Sequence, residues 1–318
     1  MVATAPIKLS DVNDALLPRT ITAPIFEKSV EQSAIMSLAR RAPLAIDATT
    51  SIPVPLDVPT ADWVGQGSRK PLSSGGIDVK QMSAKKLAVL IPVAEEVVMT
   101  NAAGLWTQLQ DDLPTAFARA FDRAAIHGKT MKGAAGPFPD HLIETSKWVQ
   151  LGTAADAEGG IYADLVNGMA EVVDDDWDFT GFAADPRLRP KLLLQTDANG
   201  RPIFVDTTTP GTDAAVAGTL IGEKLAYSRS VSGKHRRQSA STDTGLRAIG
   251  GDWSQAAYGV GMDITVRISK EATYVDEDGG VHSAFQENLV LLLAEAYYGF
   301  VLGDPEAFVK YTAGSDIS

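Results

Sequence analysis

The strongest pattern in this chain is a run of apolar residues at helical spacing between residues 105 and 128. These apolar positions are Leu109, Leu113, Phe117, Ala120, Phe121 and Ala124. Their recurrence every three or four residues predicts an amphipathic helix, and Gly128 is the residue type expected to end it. Pro114 either kinks this helix or lies in the first turn of its second half. The opposite, polar side is expected to carry mostly Asp112, Arg119, Asp122 and Arg123.

The segment before this helix has a period of two instead. Alternation at Leu87, Val89, Ile91 and Val93 predicts a strand with one buried face. Prolines between 52 and 59 favour extended backbone, and glycines at 65, 67, 75 and 76 mark turns. Together they predict an extended β-hairpin over residues 52–94. A polar two-stranded ribbon is marginal alone and its edges pair readily with another chain, so the pattern indicates a subunit of an assembly.

The rest of the chain contains segments with helical spacing of apolar residues and segments with the period of two typical of strands. A short helix is predicted at Val30, Ala34, Leu38 and Arg41, ended by Pro43. Residues 161–173 predict a second amphipathic helix, followed by a strand, a Pro-initiated helix and a turn at Asn199-Gly200. From about residue 216, short β-like runs dominate. This order predicts an α+β fold.

Composition narrows the function classes. The chain has 318 residues, 45% of them hydrophobic, which is ordinary for a globular protein. Its net charge of -12 argues against a dedicated nucleic-acid or anionic-membrane binder, because phosphate contacts need clustered Lys and Arg. With no cysteine, disulfides, thiolate metal sites and cysteine nucleophiles are excluded. No apolar run has the length of a signal peptide or a membrane helix.

None of the polar constellations predicts chemistry. Glu95 and Glu96 are adjacent and therefore diverge, so they do not face each other across a substrate. Three consecutive acids, 174–176, are typical of a solvated turn after a helix. Gly259-Val260-Gly261 is too short for a dinucleotide loop and indicates a turn, and the four histidines lack zinc-ligand spacing. We therefore expect no catalytic, cofactor or metal site.

Two other features are candidates for contacts between subunits. The basic cluster Lys234, His235, Arg236 and Arg237 follows Gly233; it either contacts acidic neighbours, a scaffold or packaged DNA, or forms a solvated loop. Among the tryptophans, Trp253 is expected in the core, whereas Trp63 on the extended loop is a candidate anchor for a neighbouring subunit. Inter-subunit contacts are therefore predicted at Trp63, Arg69, Lys70, Lys80, Arg236 and Arg237.

The order of these features resembles the major capsid proteins of tailed bacteriophages, whose fold is shared with encapsulin shells and the herpesvirus capsid floor. The matching segments include LPRTITAPIFEKSVEQSAIMSLARRAPL, ADWVGQG, KKLAVLIPVAEEV, LPTAFARAFDRAAIHGK, FAADPRLRPKLLLQTDANGRPIF, GGDWSQAAYGVGMDITVRIS and NLVLLLAEAYYGFVLGDPEAFVKYT. The chain departs from many members at Gln66, where Glu is frequent, and at Ala94, where Ser is frequent. These departures bear on local contacts and leave the fold assignment intact.

The resemblance implies a division of the chain. Residues 1–50 would form an N-terminal arm and short helix, and 51–96 the extended β-hairpin loop. Residues 97–158 would form a peripheral domain together with strands from about 262–290. Its spine helix would be the long amphipathic helix predicted between residues 105 and 128. An axial domain would comprise 159–261 with the C-terminal segment from about 291–318.

The resemblance also implies the function. The chain would be a structural protein without catalytic turnover that assembles into hexamers and pentamers of an icosahedral head enclosing double-stranded DNA. Its implied partners are other copies of itself, a scaffold protein, the portal and a decoration protein, with no membrane. Assembly would take place in the host cytoplasm. Because the arm-like match begins near Leu17, we expect the scaffold to be encoded separately.

Two rival functions remain at this stage: an encapsulin-like compartment, which shares the fold, and a cytosolic hydrolase using the acidic residues. Deleting residues 64–80 is expected to leave a folded subunit that cannot complete shells. The resemblance raises the question of crosslinks, since one related capsid is locked by Lys-Asn isopeptide bonds and this chain has lysines 70, 80, 85 and 86 on its extended loop; lysines at a ribbon edge, however, more often block unwanted strand pairing. We therefore expect no covalent crosslinking.

Overall fold

The computed structural model describes residues 33–47, 49–55, 63–64, 69–70, 77–100, 105–155, 159–195, 204, 216–234, 242–276 and 278–317. The helices in these ranges are α1 Ala34–Leu38, α2 Glu95–Thr100, α3 Leu105–His127, α4 Gly160–Val173 and α5 Leu188–Leu193. The strands are β1 Arg40–Ala42, β2 Thr50–Pro55, β3 Ile77–Met82, β4 Lys85–Ala94, β5 Trp148–Gln150, β6 Gly181–Ala184, β7 Val216–Leu220, β8 Glu223–Tyr227, β9 Leu246–Gly251, β10 Ala256–Ser269, β11 Thr273–Val275, β12 Val281–Ser283, β13 Leu289–Leu302 and β14 Phe308–Thr312. The mixture confirms the predicted α+β class.

Two sheets form the body of the described chain. One has four strands in the order β1-β10-β13-β4, and the other has six in the order β5-β14-β9-β6-β8-β7. The long strands β10 and β13 run antiparallel at the centre of the four-stranded sheet. Two separate ribbons, β2-β3 and β11-β12, complete the described β structure.

Helix α3 packs its apolar side on the four-stranded sheet, as its sequence pattern predicts. Phe117 and Phe121 are both 2% exposed and contact the ring of Tyr298 on β13 edge to face. The helix continues through Pro114 without interruption. Gly128 ends it with a left-handed φ of 59°, and its N–H donates to the carbonyl of Ala124 at 3.0 Å. The predicted cap is therefore confirmed.

The predicted first helix is shorter than its pattern suggested. It ends at Leu38, and Arg41 lies instead in β1, which pairs in parallel with β10. Extended pairing with β10 gives the backbone of residues 40–42 its hydrogen bonds, and this outweighs the helical spacing of the side chains. Val30 lies outside the described residues.

The predicted extended hairpin has a different return strand. β2 pairs with β3, in register from Thr50 opposite Met82 to Pro55 opposite Ile77. The alternating segment that was expected to return, Lys85–Ala94, is β4 and pairs with β13. Its apolar face, including Leu87, packs against the core under α3, and this burial explains the alternation. The hairpin over 52–94 was therefore wrong in its second strand.

The six-stranded sheet has its own core, covered by α4 and α5. α4 confirms the helix predicted at 161–173, and β6 followed by α5 confirms the predicted strand and helix. Tyr311 on β14 is buried and its hydroxyl donates to the carbonyl of Leu165 at 2.9 Å. A Cβ at Gly168 would lie 2.6 Å from the Tyr311 ring, so glycine is required for this close approach.

The closing segment is shared between the two sheets. β13 belongs to the four-stranded sheet and β14 to the six-stranded sheet. Main-chain pairing with β10 and β4 holds residues 289–302, and the predicted placement of residues 291–318 in the axial domain stays a prediction. The other predicted domain boundaries stay predictions. The turn predicted at Asn199-Gly200 lies outside the described residues. Within the described chain, no helix is long and apolar enough to cross a membrane.

Candidate assembly interface

The β2-β3 ribbon is the first candidate for contact with other subunits. Among the described strands, β2 and β3 pair only with each other. Ser51 and Gln81 are exposed, and Val79 is 52% exposed although it is apolar. A ribbon of this kind offers two open edges and an uncovered apolar side chain, which are features of a surface that contacts another chain.

A small apolar cluster attaches the ribbon to the body. Ile52 and Met82 pack with Ala257 of β10 and Val301 of β13. Two glycines that face each other in this sheet make the space. A Cβ at Gly259 would lie 2.6 Å from the Cβ of Leu44, and one at Gly299 would lie 2.8 Å from Cγ of Met82.

These glycines correct one interpretation of the sequence. Gly259-Val260-Gly261 was expected to form a turn, but it lies within β10. The reason is steric, since the ribbon's root and Leu44 need the space beside Gly259 that any other residue would fill. The expectation that this segment is not a dinucleotide-binding loop stays a prediction.

The residues between the ribbon strands include the predicted contact residues Trp63, Arg69 and Lys70. Trp63 is 99% exposed and Val64 is 41% exposed, while Arg69 and Lys70 are also exposed. Their exposure is compatible with contacts to a neighbour, which stay predicted. Lys80 differs, because its Nζ lies 3.7 Å from a carboxylate oxygen of Asp140 in the same chain. This ion pair joins β3 to the loop that follows α3.

The basic cluster is only partly within the described chain. Lys234 is exposed, whereas Arg236 and Arg237 lie outside the described residues. The described residues on either side of the cluster are hydrogen-bonded to each other, since the Thr244 N–H donates to the carbonyl of Ser232 at 3.0 Å. The two interpretations of the cluster, contact or solvated loop, therefore both stay open.

Asp122 is the polar residue that the sequence pattern misplaced. It was expected on the polar side of α3 but is fully buried. Its carboxylate accepts hydrogen bonds from the Ser33 hydroxyl at 2.5 Å, the Ala34 N–H at 3.3 Å and the Ser228 hydroxyl at 3.2 Å. Burial raises its pKa to about 6, although these donors oppose the rise. No signal in the sequence around α3 marked this burial, because the donors Ser33 and Ser228 are distant in sequence.

This carboxylate joins three parts of the molecule. Ser33 is also the N-cap of α1, since its oxygen accepts from the Met36 N–H at 3.1 Å. Ser228 follows β8 in the six-stranded sheet. One turn farther along α3, His127 is buried and its Nε2 lies 2.9 Å from the carbonyl of Val231. Burial lowers the pKa of His127 to about 4, so the ring is neutral at pH 7.

The remaining polar groups form local ion pairs. Glu95 binds Lys270 at 2.6 Å, and Asp175 in the acidic turn binds Lys147 at 2.6 Å. His282 lies between Glu287 at 2.9 Å and Asp276 at 3.0 Å, and hydrogen bonds to Glu287 and Asp276 raise its pKa. In the described ranges, no three His, Cys, Asp or Glu residues are placed to hold a metal ion.

The comparisons with known proteins agree with this geometry. A model of the phage capsid family matches residues 13–313. The chain is 28% identical over 294 residues to the probable major capsid protein gp17 of Mycobacterium phage D29, covering 90% of this chain and 86% of the relative. It is 29% identical over 299 residues to its counterpart in Mycobacterium phage L5, covering 90% and 86%.

Among solved structures, a chain from Gordonia phage Cozz superimposes with a TM-score of 0.71 at 30% identity, covering 94% of this chain and 92% of that one. The chain described here therefore belongs to the phage capsid family, and its fold and relatives are those of a major capsid protein of a tailed-phage head.

Proposed function

We propose that the chain assembles into hexamers and pentamers that close an icosahedral phage head around double-stranded DNA. The observation that carries the proposal is the β2-β3 ribbon, because its strands have no other partner strand in the described chain. A ribbon attached by a small cluster at its root is suited to lie on a neighbouring subunit. Repeating one such heterologous contact around an axis produces closed rings.

The net charge supports enclosure of DNA without sequence-specific binding. A net charge of -12 disfavours a surface devoted to phosphate contacts. We further propose that a separately encoded scaffold guides assembly in the host cytoplasm, and that the shell carries a portal. A decoration protein is a further proposed partner. We propose neither catalytic turnover nor covalent crosslinks through lysines 70, 80, 85 and 86.

The family match favours a phage head over the encapsulin-like alternative, since the curated relatives are phage capsid proteins. The hydrolase alternative loses support because the acidic residues that suggested it, including Glu95 and Asp175, form ion pairs with lysines of the same chain.

Electron microscopy of the purified protein, produced with and without its neighbouring viral genes, tests the proposal. We expect closed, hollow particles built from five- and six-fold rings, and DNA-filled heads in the infected host. A small closed oligomer, or uniform particles filled with an enzyme, would contradict the proposed function.

A further inference from the structure

The hairpin formed by β11 and β12 is held to the rest of the chain through one face. Tyr274 on β11 is buried in an apolar cluster with Val97 of α2 and Leu289 of β13. His282 lies directly opposite Tyr274 on β12 and stacks on its ring, with the ring centroids 5.1 Å apart and the planes at 16°. The histidine therefore covers the side chain that anchors the β11-β12 hairpin.

The other face of the β11-β12 hairpin is apolar and uncovered. Val275 and Val281 lie directly opposite each other in the strand register and are 64% and 72% exposed. By the alternation of a strand, they face away from Tyr274 and His282. Neighbouring exposed apolar side chains are typical of a surface that contacts another molecule. The shape of the hairpin decides how this pair is presented.

The ring of His282 lies between two carboxylates. Its Nε2 is 3.0 Å from Oδ2 of Asp276, and its Nδ1 is 2.9 Å from Oε1 of Glu287. An ionised carboxylate only accepts hydrogen bonds, so both ring nitrogens must donate. Only the doubly protonated imidazolium has two N–H groups, and the geometry therefore requires a positive charge on His282.

These two contacts join the turns at the two ends of β12. Asp276 closes the turn before β12, because its Oδ1 accepts from the N–H of Asp278 at 3.0 Å and from that of Gly280 at 2.6 Å. Its other oxygen is the one that meets His282. Glu287 lies in the turn between β12 and β13. One ring therefore holds both turns.

The charges around the ring favour its protonated form. Hydrogen bonds to Glu287 and then to Asp276 raise the pKa of His282, and partial burial opposes them. The hydrogen bond to His282 is also the main reason why the pKa of Asp276 is lowered. Lys270, just before the hairpin, is paired with Glu95 at 2.6 Å.

The other described charged groups on the hairpin and on the elements packed against it are acidic near the hairpin and of both signs only farther along the strands. They are Asp278 in the turn, Glu271 before β11, Glu96 on α2, Asp111 and Asp112 on α3, and, farther along β4 and β13, Lys85, Lys86 and Glu295.

The contacts of His282 should therefore be complete only over a limited pH range. The folded pKa of His282 lies above its ordinary 6.5, so the stability that it contributes is fully present below pH 6.5 and is lost as pH rises through the folded pKa. The folded pKa of Asp276 lies below its ordinary 3.8, so its contribution is present above pH 3.8 and is lost as pH falls through the folded pKa.

We propose that His282 is a pH-responsive clamp of the β11-β12 hairpin: its doubly protonated ring holds both turns, and loss of one proton as pH rises releases one of them. The clamp makes the presentation of Val275 and Val281 dependent on pH. It goes beyond the proposed function and is a property of the single subunit. Its failure would therefore leave the proposed shell assembly intact.

Nuclear magnetic resonance of the histidine rings tests the charge. The full-length unassembled subunit is labelled with nitrogen-15 histidine, and His282→Gln identifies the His282 signals among the four histidines. We expect both ring nitrogens of His282 to carry protons at pH 6.5, with a titration midpoint above that value. Glu287→Gln should lower the midpoint, because it removes one of the two negative charges. A singly protonated ring at pH 6.5, or a midpoint at or below 6.5, would overturn the clamp.

Hydrogen exchange tests whether the ring holds the turn before β12. Protection factors, corrected for the intrinsic pH dependence of exchange, are measured at Asp278 and Gly280, whose N–H groups bond to Asp276. In the parent they should fall about three-fold as pH rises through the titration of His282, as expected for a partly exposed charged contact. Protection factors that stay constant across this titration would contradict the proposal.

Two variants separate the clamp from other pH effects. In His282→Gln the protection factors should no longer change over the same pH range. His141→Gln is the matched control, because His141 pairs with one carboxylate, that of Glu144, and its loss should leave the parent's profile unchanged. The same pH-dependent fall in His282→Gln as in the parent would overturn the proposal, and if this variant misfolds the parent's profile decides.

Discussion

The body around α3 and the β2-β3 ribbon are stabilised in different ways. In the body, Phe121 contacts the rings of Phe138, Tyr258, Tyr298 and Phe300, all within one buried cluster. The ribbon has only a small cluster at its root, and beyond it Val79 and Trp63 are largely exposed. The body therefore has the contacts of a self-sufficient fold, whereas the ribbon has few contacts of its own and is the part that we propose binds a neighbouring subunit.

The largest effect is expected at the centre of the body. Phe121→Ala removes a ring from the aromatic cluster and leaves a cavity, which should lower the free energy of unfolding by about 3–5 kcal/mol. Urea denaturation of the unassembled subunit measures it. Val79→Ala on the ribbon is the control, with an expected change of less than about 0.5 kcal/mol. Equal losses in the two variants would remove the distinction between body and ribbon.

A substitution where the ribbon joins the body should lower the free energy of unfolding less than one in the body's core. Gly259→Ala places a Cβ 2.6 Å from the Cβ of Leu44, so the ribbon's root must shift. We expect a loss of about 1–3 kcal/mol by the same denaturation measurement. The matched control is Gly314→Ala, because a Cβ there meets nothing within 4 Å. A neutral Gly259→Ala would show that the root is not closely packed.

Asp122 and His127 should give the body two opposite pH dependences. The folded pKa of Asp122, about 6, lies above its ordinary 3.8, so the folded state binds this proton more tightly and its stability contribution falls as pH rises from 4 to 6. The folded pKa of His127, about 4, lies below its ordinary 6.5, so its contribution falls as pH drops from 6.5 to 4. In the parent these two slopes oppose each other.

Single substitutions should separate the slopes. Asp122→Asn leaves only the pH dependence contributed by His127, so the free energy of unfolding should rise with pH between about 4 and 6.5. His127→Gln leaves only that of Asp122, so the free energy of unfolding should fall as pH rises from about 4 to 6. Each change is on the order of 3 kcal/mol across its window. Unfolding free energies at a series of pH values measure both. Profiles parallel to that of the parent in both variants would refute the assignment.

The smallest effect is expected at Lys80. Its 3.7 Å pair with Asp140 is partly exposed, so Lys80→Ala should cost at most about 1 kcal/mol, and less at high salt. Thermal unfolding at low and high salt measures this. A loss as large as that of Gly259→Ala would mean that Lys80 holds the ribbon more firmly than its root does.

The sequence predicted those elements whose signals are local. α3 with Gly128 and α4 follow from helical spacing and a cap, and Trp253, 3% exposed, lies in the core as expected. The pairing of β4 with β13 could not be predicted, because alternation identifies a buried face but not the strand beside it.

The contact residues predicted for the candidate interface stay predictions. Exposure of Trp63, Arg69 and Lys70 agrees with their predicted position on the extended loop. The burial of Asp122 depends on donors 89 and 106 residues away in sequence, Ser33 and Ser228, so no local pattern around α3 could reveal it. For the same reason the partner of Lys80 was missed, since Asp140 lies beyond the intervening helix.

Replacing the residues between the ribbon strands tests the central claim most directly, that the body folds alone and that the ribbon, together with the segment it carries, acts in assembly. The structure moves the deletion from 64–80 to 56–76, because β3 begins at Ile77 opposite Pro55, and an Asn-Gly turn can join the two strands there. We expect a soluble subunit with the parent's unfolding temperature and no closed particles by electron microscopy. Closed particles at the parent yield, or an unfolded subunit, would contradict the account.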